Sequence, residues 1–209
     1  MHEWSEYAQI AIALFVIADP IGTIPFFLSL TSDLTEEEKK HTAKITSLTV
    51  AIVLVLSVFA GEPLLRLFGI RIASFRVGGG ILLLLMAIGM LYARPGRARA
   101  AELAAREPGF ATVPLGVPLV AGPGAISTVV IYADQAKTWL DTLFLVAVAL
   151  FVAASVWIAL RQADPLSRLL GRTGINVVTR LLGLLLAAVA VQFIAGGLSQ
   201  LLPGLAGHS

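Results

Sequence analysis

Two short runs in this 209-residue chain hold residue types from which a binding site could be built. They are Asp19-Pro20-Ile21-Gly22, followed by Thr23, and Gly122-Pro123-Gly124, followed shortly by Ser127 and Thr128. Both lie inside apolar stretches. A proline within a helix removes a backbone hydrogen bond and clashes with the preceding turn, and it pushes the residue before it out of helical geometry. Each run should therefore divide its segment into two half-helices. Asp is a preferred N-cap, Gly a permissible one, and Pro favours the first helical position. A second half-helix is thus expected to start at each break, capped by Asp19 or Gly122. Free amides and the positive end of the helix dipole at such a terminus attract an anion. A small ligand with a carboxylate fits, with hydrogen bonds from Thr23, Ser127 and Thr128 and glycines that leave little side-chain volume. The competing reading is a pair of proline kinks that serve packing alone.

Asp19 is the one acid placed deep in an apolar segment, where an ionised group costs at least about 2.5 to 3.5 kcal/mol on insertion scales. As an N-cap it is structural; as a counter-charge to an ammonium group or as a proton carrier it is functional, and the roles can coincide. Arg76 and Arg180 each sit about one turn inside an apolar segment, three residues before Gly79 and Gly183 respectively. Long basic side chains near span ends snorkel to the interface; the alternative is that these two hydrogen-bond the carbonyls of the broken helices or gate the two mouths of a pathway. The Gly78-Gly79-Gly80 and Gly196-Gly197 runs permit close helix contact. His2, His41 and His208 fall outside the apolar segments or at their edges, and the chain has no cysteine. No nucleophile-base pair, HExxH run or nucleotide loop lies at membrane depth. No enzyme activity, metal or cofactor is expected.

The elements that must position these residues follow from composition. The chain is 57% hydrophobic and 13% charged, where a soluble domain carries about 45 to 50% and about 25%. It reads as an all-α membrane protein. Six apolar segments can be drawn, at about residues 8–30, 43–60, 72–92, 113–132, 142–160 and 176–198. Between Glu6 and Asp19 lie 12 uncharged residues, and between Asp19 and Asp33 lie 13. At 1.5 Å per residue each half covers roughly 18 to 20 Å, so the break falls near the bilayer midplane. The N-terminus lacks the Lys or Arg of a signal peptide, and its apolar run is read as part of the mature protein. A net charge of +2 does not point to nucleic acid, because the basic residues mark loops and do not form one patch.

Lys39, Lys40, Lys44, Arg94, Arg97, Arg99, Arg106, Arg161, Arg168 and Arg172 fall on one side; Arg66, Arg71 and Lys137 fall on the other. By the positive-inside rule both termini face outward. Re-entrant first and fourth segments would weaken this bias, which disfavours them. The polar stretch 93–111 is a cytoplasmic linker with an Ala-rich middle that could form two helical turns and meet anionic lipid head groups.

That linker separates two similar halves, 1–92 and 112–209. A shift of 102 residues lays Glu62-Pro63-Leu64-Leu65-Arg66-Leu67-Phe68-Gly69 over Asp164-Pro165-Leu166-Ser167-Arg168-Leu169-Leu170-Gly171. A shift of 104 lays Phe75-Arg76-Val77-Gly78-Gly79 over Thr179-Arg180-Leu181-Leu182-Gly183, and one of 103 lays Ala18-Asp19-Pro20 over Ala121-Gly122-Pro123. With three spans per half, the repeats are inverted, an arrangement of many secondary transporters in which broken helices meet at the midplane. The expected fold is six transmembrane helices as two inverted three-helix repeats, the first and fourth helices broken.

Ile17-Ala18-Asp19-Pro20-Ile21-Gly22 through Leu30-Thr31, Phe68-Gly69-Ile70 through Arg76-Val77-Gly78-Gly79-Gly80, Pro114-Leu115-Gly116-Val117-Pro118-Leu119 through Gly122-Pro123-Gly124-Ala125, and Arg180-Leu181-Leu182-Gly183 resemble the MarC family of six-helix bacterial inner-membrane proteins. The similarity runs over nearly the whole chain. It implies export or exchange of small neutral amino acids such as glycine, alanine or serine, driven by the proton gradient; it gives no ground for drug efflux. The family motif often carries Asn after DPxG, where this chain has Thr23, so specificity can differ here. The expected function is an alternating-access transporter with the substrate carboxylate at the half-helix N-termini and its ammonium near Asp19. A channel for small solutes and a non-transporting assembly or regulatory subunit are the alternatives.

Overall fold

The structure, a computed structural model, describes residues 4–92 and 121–202. The first half of the fourth segment, 113–120, and the linker with its lipid-facing expectation lie outside the described residues. Every regular element among the described residues is a helix: α1 (Trp4–Ala18), α2 (Ile24–Leu30), α3 (Glu36–Leu67), α4 (Ile72–Leu91), α5 (Pro123–Gln135), α6 (Trp139–Arg161) and α7 (Ala163–Leu201). Four are long and apolar enough to cross a membrane: α3, α4, α6 and the Thr173–Leu201 part of α7. They correspond to the second, third, fifth and sixth segments of the sequence. The first segment is divided, as its proline requires, into α1 and α2.

The helices run past the drawn spans for local reasons. At the start of α3, the Thr35 hydroxyl accepts from Glu38 N, and the Glu38 carboxylate accepts from Thr35 N at 2.8 Å. This reciprocal capping box satisfies two otherwise orphaned amides and carries the helix well outside the apolar run. At its other end α3 continues through Pro63 to Leu67 and stops where Gly69 turns with φ 67°. The Asp164-Pro165 run, drawn as loop, is helical. Its acid lies in the first turn, where the helix dipole favours negative charge. Gly171, at φ 61° and ψ 176°, interrupts α7 and separates this short piece from the membrane-length part.

Contacts between helices place the two ends of the bundle. One end holds Tyr7 of α1, which donates a hydrogen bond to Asp141 at the start of α6. The same end holds Gly61 of α3 beside Val130 of α5. The other end holds Lys39 at the start of α3, 3.8 Å from Asp164 at the start of α7. On α6, Trp139 and Trp157 are 18 residues apart, about 27 Å, close to the ~30 Å hydrocarbon thickness. Trp139 is exposed, and Arg161 lies 5.2 Å above the Trp157 ring. Such Trp pairs mark the two membrane interfaces.

Helix α4 packs along α7, and α3 along α6. The α4–α7 seam depends on glycine. A methyl group placed on Gly80 would lie 2.9 Å from the Ala190 carbonyl oxygen and 2.7 Å from Ile194. One placed on Gly183 would lie 3.3 Å from the Ala87 carbonyl oxygen and 3.5 Å from Leu91. Gly197 meets Ala73 and Val77 in the same way. As numbers rise along α4 they fall along α7, so the two helices are antiparallel. Adding 103 to Gly80, Ala87 and Leu91 gives Gly183, Ala190 and Ile194, so the first two contacts exchange into one another.

Candidate functional site

The two proline runs are built differently. At Asp19 the backbone turns left-handed, with φ 38°, a conformation that Asp and Asn tolerate better than other side-chain-bearing residues. The Asp19 carboxylate folds over the following turn and accepts a hydrogen bond from Gly22 N at 2.9 Å. Its carbonyl oxygen accepts from both Thr23 N, at 3.1 Å, and Thr23 Oγ1, at 2.9 Å. Gly22 leaves the carboxylate its place, because a methyl group there would overlap Asp19 Oδ2 and displace it. Asp19 is thus the hub of a single isolated turn over residues 19–23.

This corrects the expected start of the second half-helix. Pro20 is not its first residue and Asp19 does not cap it; α2 begins at Ile24, with Thr23 at the N-cap position and no side-chain cap. The reason is competition. The left-handed residue and its carboxylate organise their own turn, and Pro25, in the first turn of α2, lacks an amide and suits that place in the helix. At Gly122 the expectation and the structure agree: Gly122 is the extended N-cap and Pro123 opens α5.

The hydroxyls near both breaks are turned inward. Ser127 Oγ and Thr128 Oγ1 both donate to the Gly124 carbonyl oxygen, at 3.0 and 2.8 Å. Thr23, Ser127 and Thr128 are 6%, 2% and 0% exposed. Their protons are committed to the backbone, so they offer a ligand lone pairs and small volume. The residues just before the breaks, Ala18 and Ala121, are buried in one apolar core, and α1 packs against α5. An open cleft of about 260 Å³ lies at the start of α5, lined by Leu82, Leu85, Met86, Pro123 and Gly124. It is smaller than the ~300 Å³ at the low end for drug-sized ligands.

Arg76 and Arg180 sit at opposite ends of the antiparallel α4–α7 pair. Arg76 passes over Gly196, where a methyl group would lie 3.6 Å from its Nη1. Its Nε is buried without a hydrogen-bond partner, as is the Thr46 hydroxyl on α3. Arg180 is exposed. Gly79 meets Ser127 of α5, and Gly183 meets α4, so the two glycines following the arginines serve different contacts.

One cluster has no counterpart among the residues singled out from the sequence. Asp141 accepts from Lys137 N at 3.0 Å, from Thr138 N at 2.9 Å and from the Tyr7 hydroxyl. The Tyr7 and Phe144 rings pack with centroids 4.3 Å apart. This fastens α1 to the start of α6. The Thr138-Trp139-Leu140-Asp141 run carries the capping signature, but nothing in the spacing announces Tyr7 as its third partner.

Four membrane-length helices in one apolar bundle, with the first segment divided at a polar turn, define a polytopic helical membrane protein. The chain belongs to the MarC family. The description "MarC family integral membrane protein" matches residues 4–202. The UPF0056 membrane protein YhcE of Escherichia coli (strain K12) is 42% identical over 206 residues, covering 95% of this chain and 94% of that protein. UPF0056 membrane proteins of Aquifex aeolicus and Pyrococcus abyssi are 33% and 32% identical. The first covers 94% of this chain and 94% of its own length; the second covers 92% and 94%. No solved structure gives a significant match.

Proposed function

We propose that the protein is a secondary transporter of small neutral amino acids such as glycine, alanine or serine, coupled to protons and working by alternating access in a bacterial cytoplasmic membrane. The observation that carries this reading is the Asp19 turn: an acid in left-handed backbone, inside a broken apolar segment, next to Ala18 in the core that also buries the start of α5. Backbone strain and an intramembrane acid concentrate at functional sites, and packing alone calls for neither. The α5 N-terminus, whose first-turn amides have no partner within the helix, suits the substrate carboxylate; Asp19 suits the ammonium group and a coupled proton.

The inverted-repeat reading is supported by the antiparallel α4–α7 seam and its exchange at an offset of 103, the same offset that relates Asp19-Pro20 to Gly122-Pro123. Halves of opposite topology provide two alternating conformations of one site. The placement of Tyr7, Gly61 and Val130 at one end, and Lys39 and Asp164 at the other, supports six crossings.

The test is exchange of radiolabelled alanine or glycine by the purified protein in liposomes, with Asp19→Asn beside the unaltered chain. Asn tolerates the left-handed turn and can still accept from Gly22 N, so the variant removes the charge and keeps the fold. Faster uptake with unlabelled amino acid inside, lost in Asp19→Asn, is the expected result. Flux without counterflow acceleration would identify a channel instead. No movement of any neutral amino acid under any imposed pH gradient would remove the substrate class.

A further inference from the structure

The half-helix α5 lies unusually close to α4. A methyl group on Gly79 would sit 2.8 Å from both Cβ and Oγ of Ser127 and 3.7 Å from Ile131, so position 79 has no room for a side chain beside that of Ser127. Further along α5, Gly61 of α3 receives Val130 even more tightly, and a methyl group on that glycine would overlap Val130 Cγ2. The rings of Tyr132 on α5 and Phe193 on α7 meet edge-to-face at 5.8 Å. Ser127, Val130 and Ile131 are each at most 2% exposed. From Ser127 to Ile131, α5 is therefore packed closely on α3 and α4 toward the end of the bundle that carries Tyr7 and Gly61, with a single ring contact to α7.

The corresponding positions on the other half carry different residues. The contacts of Gly80 and Gly183 exchange at an offset of 103, one residue from the shift of 104 that lays Gly79 over Gly183 in the sequence, and this structural register takes Gly79 to Leu182 and Ser127 to Ile24. Ile24 is fully buried, Leu182 packs on the same core, and α2 runs against α7. Branched side chains thus stand on this half at the positions that carry only Gly and Ser on the other. Helices separated by Leu and Ile stay further apart than helices touching through glycine.

We propose that α5 is a gate, that the Gly79–Ser127 contact latches it shut, and that Leu182 and Ile24 deny α2 the same close approach, biasing the resting protein toward closure at the Tyr7 end. This rests on the alternating-access reading but not on the identity of the substrate. Opening would lift α5 from α4 and expose Ile131.

The chain contains no cysteine, so single reporters can be introduced directly. Ile131→Cys is placed in the purified full-length protein, and its reaction rate with a maleimide is measured with Gly79 intact, with Gly79→Ala and with Gly79→Leu. Ala149→Cys, fully buried on α6, is measured in the same three backgrounds. The expected result is slow reaction at the position-131 reporter with Gly79 intact, a graded rise to tenfold or more in Gly79→Leu, and no change at the position-149 reporter. Gly79→Ala supplies the answer where the larger substitution compromises folding. Equal rates in all backgrounds, rapid reaction with Gly79 intact, or parallel acceleration at the position-149 reporter would each overturn the gate. A graded response in a protein that exchanges no amino acid would leave the gate standing and remove only the substrate reading.

Discussion

At the scale of single residues, Gly22 and Asp19 form a unit whose parts fail differently. The Asp19 carboxylate occupies the space into which a Gly22 side chain would project. In Gly22→Ala the carboxylate must leave and its hydrogen bond from Gly22 N is lost, at a cost of about 1 to 3 kcal/mol for the charged acceptor. We expect at least a tenfold loss of amino acid exchange together with a lower unfolding temperature in detergent. Gly78 is the control, because a methyl group there meets nothing within 4 Å on an interior helical turn. Gly78→Ala should be neutral or stabilising by up to about 1 kcal/mol. Equal behaviour of the two variants in exchange would dissociate the Asp19 turn from function. In the sequence, Asp19 stands out as an anomaly because charge is rare in apolar runs. The left-handed turn does not, because Asp serves equally as a helix cap and as a turn residue, and only the competition with Pro25 decides which.

The elements show the same division between what a local pattern dictates and what packing decides. The spans are legible because a membrane demands about 20 apolar residues per crossing, and the α1–α2 division is legible because proline cannot sit inside an undisturbed helix. The ends are less so: α3 extends from Glu36 to Leu67, carried outward by the Thr35–Glu38 capping box and through Pro63. The fastening of α1 to α6 through Tyr7 and Asp141 depends on residues 134 positions apart, beyond the reach of any local motif. It has a measurable consequence. Asp141→Ala removes the acceptor for two backbone amides and the Tyr7 hydroxyl and should destabilise by more than Tyr7→Phe, which removes one hydrogen bond to a charged acceptor, about 1.5 kcal/mol. Thermal unfolding of the purified variants ranks them; a Tyr7→Phe effect equal to that of Asp141→Ala would mean that the inter-helix bond, and not the cap, holds this corner.

For the whole molecule, the α4–α7 seam and the charge distribution make linked claims. Gly80 and Gly183 exchange under one offset and each faces a backbone carbonyl of the opposite helix, so Gly80→Leu and Gly183→Leu should both overpack the same seam, each by about 1 to 3 kcal/mol. Gly80 has the shorter approach, 2.9 Å against 3.3 Å, and should be the more damaging. A silent substitution at either position would break the equivalence. The charge distribution decides which way the seam points. Lys40 of α3 lies at the Lys39–Asp164 end of the bundle, and Lys137 beside Asp141 at the Tyr7 end. The richer basic side is the Lys40 side, so the positive-inside rule predicts that this end faces the cytoplasm. In intact cells, a membrane-impermeant thiol reagent should therefore label Lys137→Cys and spare Lys40→Cys until the membrane is permeabilised. Reversed labelling would turn the molecule over. The α5 gate would then face the cytoplasm, with the contact geometry unchanged and the direction of the proposed resting bias inverted.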